Sequence, residues 1–316
     1  MRRVLAALIP TLLVIAPTLE PGPAGATPPG ANGLITATDC VDAYDCTLHV
    51  FATDGSSELP FKGASYWAED PTWSSAGPDQ KIAFSGARYR ILSDRSAPHS
   101  IFVAGGDGTG RRQVTTGPHD ISPALAPGGR RLVFARLGGY GSRVLDILNL
   151  RTGALTPFTR SPRGVINNDP DWSPDGSQIA FAREIGNDWD LYLKDVDTGD
   201  LRQLTSGSGN DTDPSWSPDG TRIAFVSDRG GGGLYVLNVS TGQIALVDQE
   251  AVGSPTWSPD GTQIAVTWRD DGVENEAVAI KVIDVATGVT SAVILSEETG
   301  MGGIGDLLAP AWRPVT

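Results

Sequence analysis

The amino-acid sequence predicts an all-β fold, a six-bladed β-propeller with four antiparallel strands in each blade. The motif WSPDG or a close variant returns at spacings of about 40 to 55 residues, the length of one propeller blade. The 39 glycines and 23 prolines favour a fold with many tight turns. A chain of 316 residues would otherwise suggest two domains, but a repeat array folds as one body.

The repeats align on one position, which tryptophan holds in five of the six copies. Each Trp ends a predicted inner strand and offers a large apolar area to a neighbouring sheet. In the turn that follows, Pro fixes φ at the second position and Gly accepts a positive φ at the fourth. The aligned positions are Trp73, Leu125, Trp172, Trp216, Trp257 and Trp312.

The chemistry of these turns also explains their acidic residues. Asp175, Asp219 and Asp260 each occupy the third position of a Ser-Pro-Asp-Gly turn, a position that favours Asp. The preceding Ser has no GxSxG context, so a serine nucleophile is not indicated. We interpret the motif as architecture and not as a catalytic site.

The two ends of the chain are predicted to complete one blade together. Residues 33–38, 48–51 and 58–61 read as a second, third and fourth strand with no first strand before them. Residues 309–313 read as a first strand with nothing after it. We expect these ends to pair and close the ring, which leaves no open sheet edge at the seam.

The repeats "DPDWSPDGSQIAF" (169–181) and "DPSWSPDGTRIAF" (213–225) resemble the WD40-like Pro-Asp repeats of TolB-type β-propellers. The resemblance covers nearly the whole chain after the leader and implies the propeller fold. It implies little about function, because such propellers serve many roles. Proteins of the TolB type carry an α/β domain before the propeller, and we expect this chain to lack it.

The first residues predict export. Arg2 and Arg3 precede an apolar run over 4–15, shorter than the roughly 20 residues of a membrane-spanning helix, and small residues at 24–26 suit cleavage. We expect a signal peptide over 1–26, a short linker over 27–32 and one propeller over 33–316. The mature protein is then secreted or extracytoplasmic, with no integral membrane segment. A leader retained as an anchor is the alternative.

The net charge argues against one class of partner, and the two cysteines predict a disulfide bond. The net charge of −13 argues against nucleic acid, because phosphate binding needs a basic surface. Cys40 and Cys46 are the only cysteines, and two cysteines this close in an exported chain predict one local disulfide.

Function is expected in the segments that vary between repeats. The segments that enter the inner strands carry acidic or amide residues over four consecutive blades, and we expect these to ring the channel mouth opposite the WSPDG turns. Such a rim suits a cationic peptide segment, a hydroxylated ligand or Ca²⁺, although no contiguous Ca²⁺ loop is present and no metal or cofactor is predicted. Solvated turn-capping carboxylates are the alternative. The candidates are Asp70, Asp120, Asn167, Asp169, Asp211 and Asp213.

Further side chains in predicted loops are candidate contacts. Tyr140 and Trp189 are proposed as anchors for a partner, with packing at a blade margin as the alternative. His99 and His119 lack the third ligand that a catalytic zinc normally has. Charges at the ends of the second strands are predicted to form salt bridges between adjacent blades: Asp39, Glu184, Asp228, Arg95, Arg136, Arg183, Arg229 and Arg269.

Two functions of different classes fit this sequence. The first is a monomeric, non-enzymatic scaffold that binds a protein, a peptide or another ligand through its upper face and channel mouth. The alternative is a propeller-type lyase or glycosidase, which needs paired carboxylates. Asp169 with Asp213, or His99 with His119, are the candidate catalytic pairs. The binding scaffold is the favoured hypothesis, because a fold by itself is not evidence for an enzymatic activity.

Overall fold

The computed structural model describes residues 33–42, 45–52, 58–60, 67–74, 79–87, 99–207, 209–270, 277–295 and 306–314. The elements are 24 strands, numbered here in chain order, and two short 3₁₀ turns at Gly139–Gly141 and Arg229–Gly231. The predicted signal peptide and linker, residues 1–32, lie outside the described residues. The predicted all-β class is confirmed.

The strands repeat in the order inner, second, third, outer. The inner strands are β4 (Trp67–Trp73), β8 (Asp120–Leu125), β12 (Ile166–Trp172), β16 (Asp211–Trp216), β20 (Ala251–Trp257) and β24 (Asp306–Trp312). The second strands are β1 (Leu34–Asp42), β5 (Lys81–Ala87), β9 (Arg131–Leu137), β13 (Gln178–Ile185), β17 (Arg222–Ser227) and β21 (Gln263–Asp270).

The third and outer strands complete the set. The third strands are β2 (Asp45–Ala52), β6 (Ser100–Gly105), β10 (Arg143–Asn149), β14 (Asp188–Asp195), β18 (Gly233–Asn238) and β22 (Ala277–Asp284). The outer strands are β3 (Glu58–Pro60), β7 (Arg112–Gln113), β11 (Leu155–Pro157), β15 (Leu201–Gln203), β19 (Ile244–Asp248) and β23 (Thr290–Leu295).

These strands form four-stranded antiparallel units. Unit 1 has the order β24-β1-β2-β3, and units 2, 5 and 6 are β4–β7, β16–β19 and β20–β23. Units 3 (β8–β11) and 4 (β12–β15) belong to one eight-stranded sheet, which a single parallel pair, Arg143 with Ile166, joins. Each inner strand contacts the next, and β24 contacts both β20 and β4.

The first and last described strands meet as the sequence predicts. Strand β24 pairs antiparallel with β1, with Trp312 opposite Ile35, and the backbone N–H of Arg313 donates to the carbonyl of Leu34 at 2.8 Å. The first strand of unit 1 is thus supplied by the last described residues, which confirms the predicted closing pair.

The hydrophobic core lies between neighbouring units, because each sheet buries both faces. Between units 3 and 4, Trp172, Ile179 and Phe181 pack against Leu145 and Phe158. The indole N–H of Trp172 also donates to the carbonyl of Ala124 at 3.1 Å, and so links two units by a hydrogen bond. The same position is buried at the other junctions, as Trp in units 1, 2, 5 and 6 and as Leu125 in unit 3.

The WSPDG turns have the predicted chemistry. One carboxylate oxygen of Asp175 accepts hydrogen bonds from the Ser173 hydroxyl at 2.6 Å and from the Ser177 backbone at 3.0 Å. These bonds, the Ser173 bond foremost, lower the pKa of Asp175. Gly176 has φ 72°, a conformation that favours glycine. The turn acids stabilise the fold.

Candidate functional site

Each inner strand contains a bulge formed by a residue and the proline that follows it. Pairing between β12 and β13 passes from Asn168–Ala182 directly to Asp171–Ala180, so Asp169 and Pro170 together face one residue. The residue before each proline is left-handed, with φ between 46° and 52°. For a residue other than glycine this conformation costs about 1–2 kcal/mol. These residues are Asp70, Ser122, Asp169, Asp213, Ser254 and Ala309.

The bulges surround a central cavity of about 500 Å³. Its wall contains the bulge residues, their prolines, the next residue and the Trp position of all six units, and it extends to the prolines of the WSPDG turns. This cavity therefore reaches the turn face, whereas the sequence placed the site at the opposite mouth. Its charged lining residues are Asp70, Asp169, Asp171 and Asp213, and no described lining residue is basic.

Burial in the cavity raises the pKa values of these carboxyl groups. Burial, followed by repulsion from Asp213 and Asp70, raises the pKa of Asp169 well above its usual range. The Ser122 hydroxyl donates to Asp169 at 3.0 Å and offsets part of this effect. Burial also raises the pKa values of Asp70 and Asp213. A cavity of this kind favours positively charged groups.

Asp171 is a cavity residue that the sequence analysis missed. It lies between proline and Trp, a position at which the other units have Thr72, Ala124, Ser215, Thr256 and Ala311. Its carboxylate accepts the backbone N–H of Trp216 in the next unit at 2.7 Å. Burial raises the pKa of Asp171 to about 7. Asp171 is the only charged residue at this repeat position, and this exception is the sequence signal that could have identified it.

The raised pKa of Asp171 gives a pH prediction. The folded protein holds this proton between pH 4 and 7 while the unfolded chain releases it, so the contribution to stability is full below pH 4 and lost as pH rises through 7. We expect Asp171→Asn, which keeps an acceptor for Trp216, to raise the free energy of unfolding at pH 8 by about 4 kcal/mol and to change it little at pH 4.

Urea denaturation at pH 4, 6 and 8 measures this effect. Asp197→Asn, an identical charge change on an exposed turn, is the control for net charge. Parallel profiles for Asp171→Asn and the native protein would contradict the assignment.

Three predicted rim residues lie away from the cavity. Asp120, Asn167 and Asp211 are fully buried, each two positions before a bulge residue. In an unbroken strand residues two apart share a face, but the bulge breaks this alternation and only the later residue reaches the cavity. The prediction of a rim role for these three is therefore corrected.

Two of these buried acids form ion pairs within their own unit. Asp120 accepts two hydrogen bonds from Arg136, at 2.7 and 2.9 Å, and Asp211 accepts one from Arg229. The sequence placed the salt bridges of Arg136 and Arg229 between adjacent blades, whereas here they join the inner strand to the second strand or the following turn of one unit. The physical reason is antiparallel pairing, which sets Asp120 directly opposite Arg136.

The two aromatic candidates differ in exposure. Tyr140 is 82% exposed on the turn between β9 and β10, and the guanidinium of Arg163 lies 5.0 Å from its ring centroid. Trp189 is half-buried and packs against the hydrophobic cluster between units 4 and 5. Tyr140 is thus available to a partner, and Trp189 has the packing role named as its alternative.

The remaining candidates are placed as follows. The rings of His99 and His119 stack at 4.8 Å, and burial lowers the pKa of His119. Within the described ranges no three His, Cys, Asp or Glu residues are grouped to hold a metal ion. Cys40 lies opposite Cys46 in the β1–β2 register, but their side chains lie outside the described residues and the disulfide stays a prediction.

A β-propeller of WSPDG repeats around an acidic central cavity is the class of protein that this fold and site define. The chain belongs to the TolB β-propeller family, because the family model described as the TolB beta propeller domain matches residues 79–314. This result agrees with the resemblance that the repeats indicate.

Curated relatives match part of the chain. It is 30% identical over 162 residues to the protein TolB homolog of Chlorobium luteolum, a match that covers 50% of this chain and 36% of that protein. It is 33% identical over 129 residues to the Tol-Pal system protein TolB of Francisella tularensis, covering 40% and 28%. These matches span about a third of the relatives' length.

Solved structures share the fold. The crystal structure of TolB from Acinetobacter baumannii superposes with a TM-score of 0.73 at 21% identity, covering 91% of this chain and 68% of that chain. Putative TolB from Agrobacterium tumefaciens gives 0.63 at 19% identity, covering 90% and 100%. In the part of the chain that the structure describes, no helix has the length and apolar character to cross a membrane.

Proposed function

We propose that this protein is a non-enzymatic scaffold outside the cytoplasm that binds a partner protein or peptide through its central cavity. The observation that carries the proposal is a cavity with four carboxyl groups and no basic lining residue among those described. An inserted lysine or arginine side chain would supply the missing positive charge. The relatives named as Tol-Pal system proteins and the predicted leader support a partner-binding role at this location.

The shape of the cavity fits an extended peptide. Its end at the turn face is bordered by a collar of prolines, whose apolar rings give a peptide backbone a surface to lie on. The carboxyl groups lie deeper, at the bulges, where a long basic side chain would reach them. The collar consists of Pro127, Pro174, Pro218, Pro259 and Pro314.

Calorimetric titration with a short lysine-containing peptide tests the proposal. We expect binding that weakens with added salt, and a loss of about tenfold or more in the double variant Asp169→Asn, Asp213→Asn, because charge-assisted contacts are removed. Asp197→Asn is the control for net charge and should bind as the native protein does. Equal weakening in both variants would reject the cavity as the binding site.

One observation favours an enzyme as the second candidate. Asp169 and Asp213 share the cavity and both have a raised pKa, a property found in carboxyl groups that act as general acids. If the protein is a glycosidase or lyase, it should turn over an oligosaccharide, and Asp169→Asn should abolish that activity. Turnover in a panel of oligosaccharides would replace the scaffold proposal, and its absence alongside peptide binding would support the scaffold.

A further inference from the structure

A group of arginines without ion pairs lies at the junction of units 3 and 4, at the end away from the WSPDG turns. These arginines are Arg143, Arg160 and Arg183. None of them takes part in an ion pair with a described residue. Arg160 and Arg183 both lower the pKa of Lys194, after the effect of its burial, which places three positive charges near one another. Asp190 lies opposite Arg183 in the β13–β14 register and Asp169 attracts Arg143, but neither acid forms an ion pair with its arginine.

Comparison between units shows what Arg183 lacks. In units 3 and 5 the buried residue two positions before the bulge is an aspartate, Asp120 or Asp211, and it binds an arginine. In unit 4 the equivalent residue is Asn167, directly opposite Arg183 in the strand register. An amide carries no charge, so the guanidinium of Arg183 has no counter-ion from its own inner strand.

Asn167 forms its hydrogen bonds with groups other than the guanidinium of Arg183. Its Nδ2 donates to the carbonyl of Arg143 at 2.9 Å and to the hydroxyl of Ser161. Asn167 Oδ1 and the Nε atoms of Arg143 and Arg183 are buried and have no hydrogen-bond partner among the residues that the structure describes. Arg143 makes one side-chain bond, from Nη1 to Asn168 Oδ1 at 2.9 Å. Buried donors on charged groups are costly when unpaired, so this junction favours an added acceptor.

We infer that Arg183 binds a carboxylate that an acidic peptide segment of a partner presents. The equivalent pair in unit 3 shows the chemistry that fits, because two nitrogens of Arg136 donate to the two oxygens of one carboxylate. Tyr140, exposed and held under Arg163, offers an aromatic contact on the same face. This site goes beyond the proposed function, since it takes the opposite charge at the opposite end of the fold.

A hexaglutamate peptide is the probe for this site, and calorimetry at low salt is the measurement. We expect the native protein to bind hexaglutamate and not a serine peptide of equal length. Arg183→Gln should weaken hexaglutamate binding about tenfold. Arg151→Gln, the same charge change on an exposed turn at the other face, should leave it unchanged.

Asn167→Asp is the sharper variant, because it supplies within unit 4 the carboxylate that units 3 and 5 already have. We expect it to reduce hexaglutamate binding as strongly as Arg183→Gln, and both variants lower the net charge by one. Its melting temperature establishes that it is folded, and Arg183→Lys, which keeps the charge but not the paired donors, gives a second reading with an intermediate loss.

Three results would overturn the inference. If Arg183→Gln and Arg151→Gln weaken hexaglutamate binding equally, the peptide is attracted by general charge and not by a site at Arg183. Unchanged binding in Asn167→Asp would mean that Arg183 is not the carboxylate's partner. Inorganic phosphate bound as tightly as hexaglutamate, and lost in Arg183→Gln, would mean a phosphate site. The double cavity variant Asp169→Asn, Asp213→Asn should bind hexaglutamate normally, so this inference and the scaffold proposal fail separately.

Discussion

Replacement of Trp172 by alanine is expected to lower the free energy of unfolding by about 3 to 5 kcal/mol. The indole is 4% exposed and fills the junction between units 3 and 4, where it packs with Ile179 and Phe181. Truncation also removes its hydrogen bond to the Ala124 carbonyl and leaves the Arg131 guanidinium, now 4.7 Å from the ring centroid, without its aromatic surface. Urea denaturation at pH 7 measures the loss.

The protein offers a natural control for this variant. Unit 3 has Leu125 where the other units have Trp, and Leu125 is buried in the same way. Trp172→Leu should therefore cost clearly less than Trp172→Ala, because leucine fills part of the space. Equal losses for the two variants would mean that the hydrogen bond, and not the packed area, dominates at this junction.

Replacement of Asp120 by alanine is expected to cost about 3 kcal/mol, because a buried ion pair loses one partner. The carboxylate is fully buried and accepts two bonds from Arg136 and one from the backbone of Gly117 at 3.1 Å. Asp146, 3.3 Å from Arg136, keeps part of the counter-charge in place and limits the loss. Equilibrium denaturation with a double-mutant cycle measures it.

The double variant Asp120→Ala, Arg136→Met is the control in that cycle. It removes both charges, so its cost should be smaller than the sum of the two single costs. Strict additivity would show that the pair does not interact. Asp120→Asn, which reproduces the arrangement of unit 4, should cost less than Asp120→Ala because it retains the side-chain volume and one acceptor.

The fold could be predicted from the sequence because its signals are local and repeated. The turn residues mark each first hairpin, and the unmatched strands at 33–38 and 309–313 indicate the closing pair, in which Trp312 lies opposite Ile35. Each turn residue has the same structural role in every repeat, so the repeats support one another's strand assignments.

The site was predicted only in part, and the bulges are the reason. Composition does not distinguish Asp211, which forms a buried ion pair, from Asp213, which lines the cavity, because both are aspartates near the start of one strand. The left-handed residue before proline decides which of these two aspartates points toward the cavity. Strand periodicity alone does not predict that backbone conformation. Asp171 was missed because the sequence does not show that the residue after the bulge proline lines the cavity.

The pairing of β24 with β1 has a consequence for biosynthesis. Strands β1 to β3 leave the ribosome first, but their inner partner is encoded far later in the chain, at Asp306–Trp312. The edge of β1 has no native strand beside it until then, and contacts so distant in sequence form slowly. The nascent chain thus carries an open β-edge at β1 until residues 306–312 have been synthesised, and an exposed edge of this kind is a site at which an unfinished protein can aggregate.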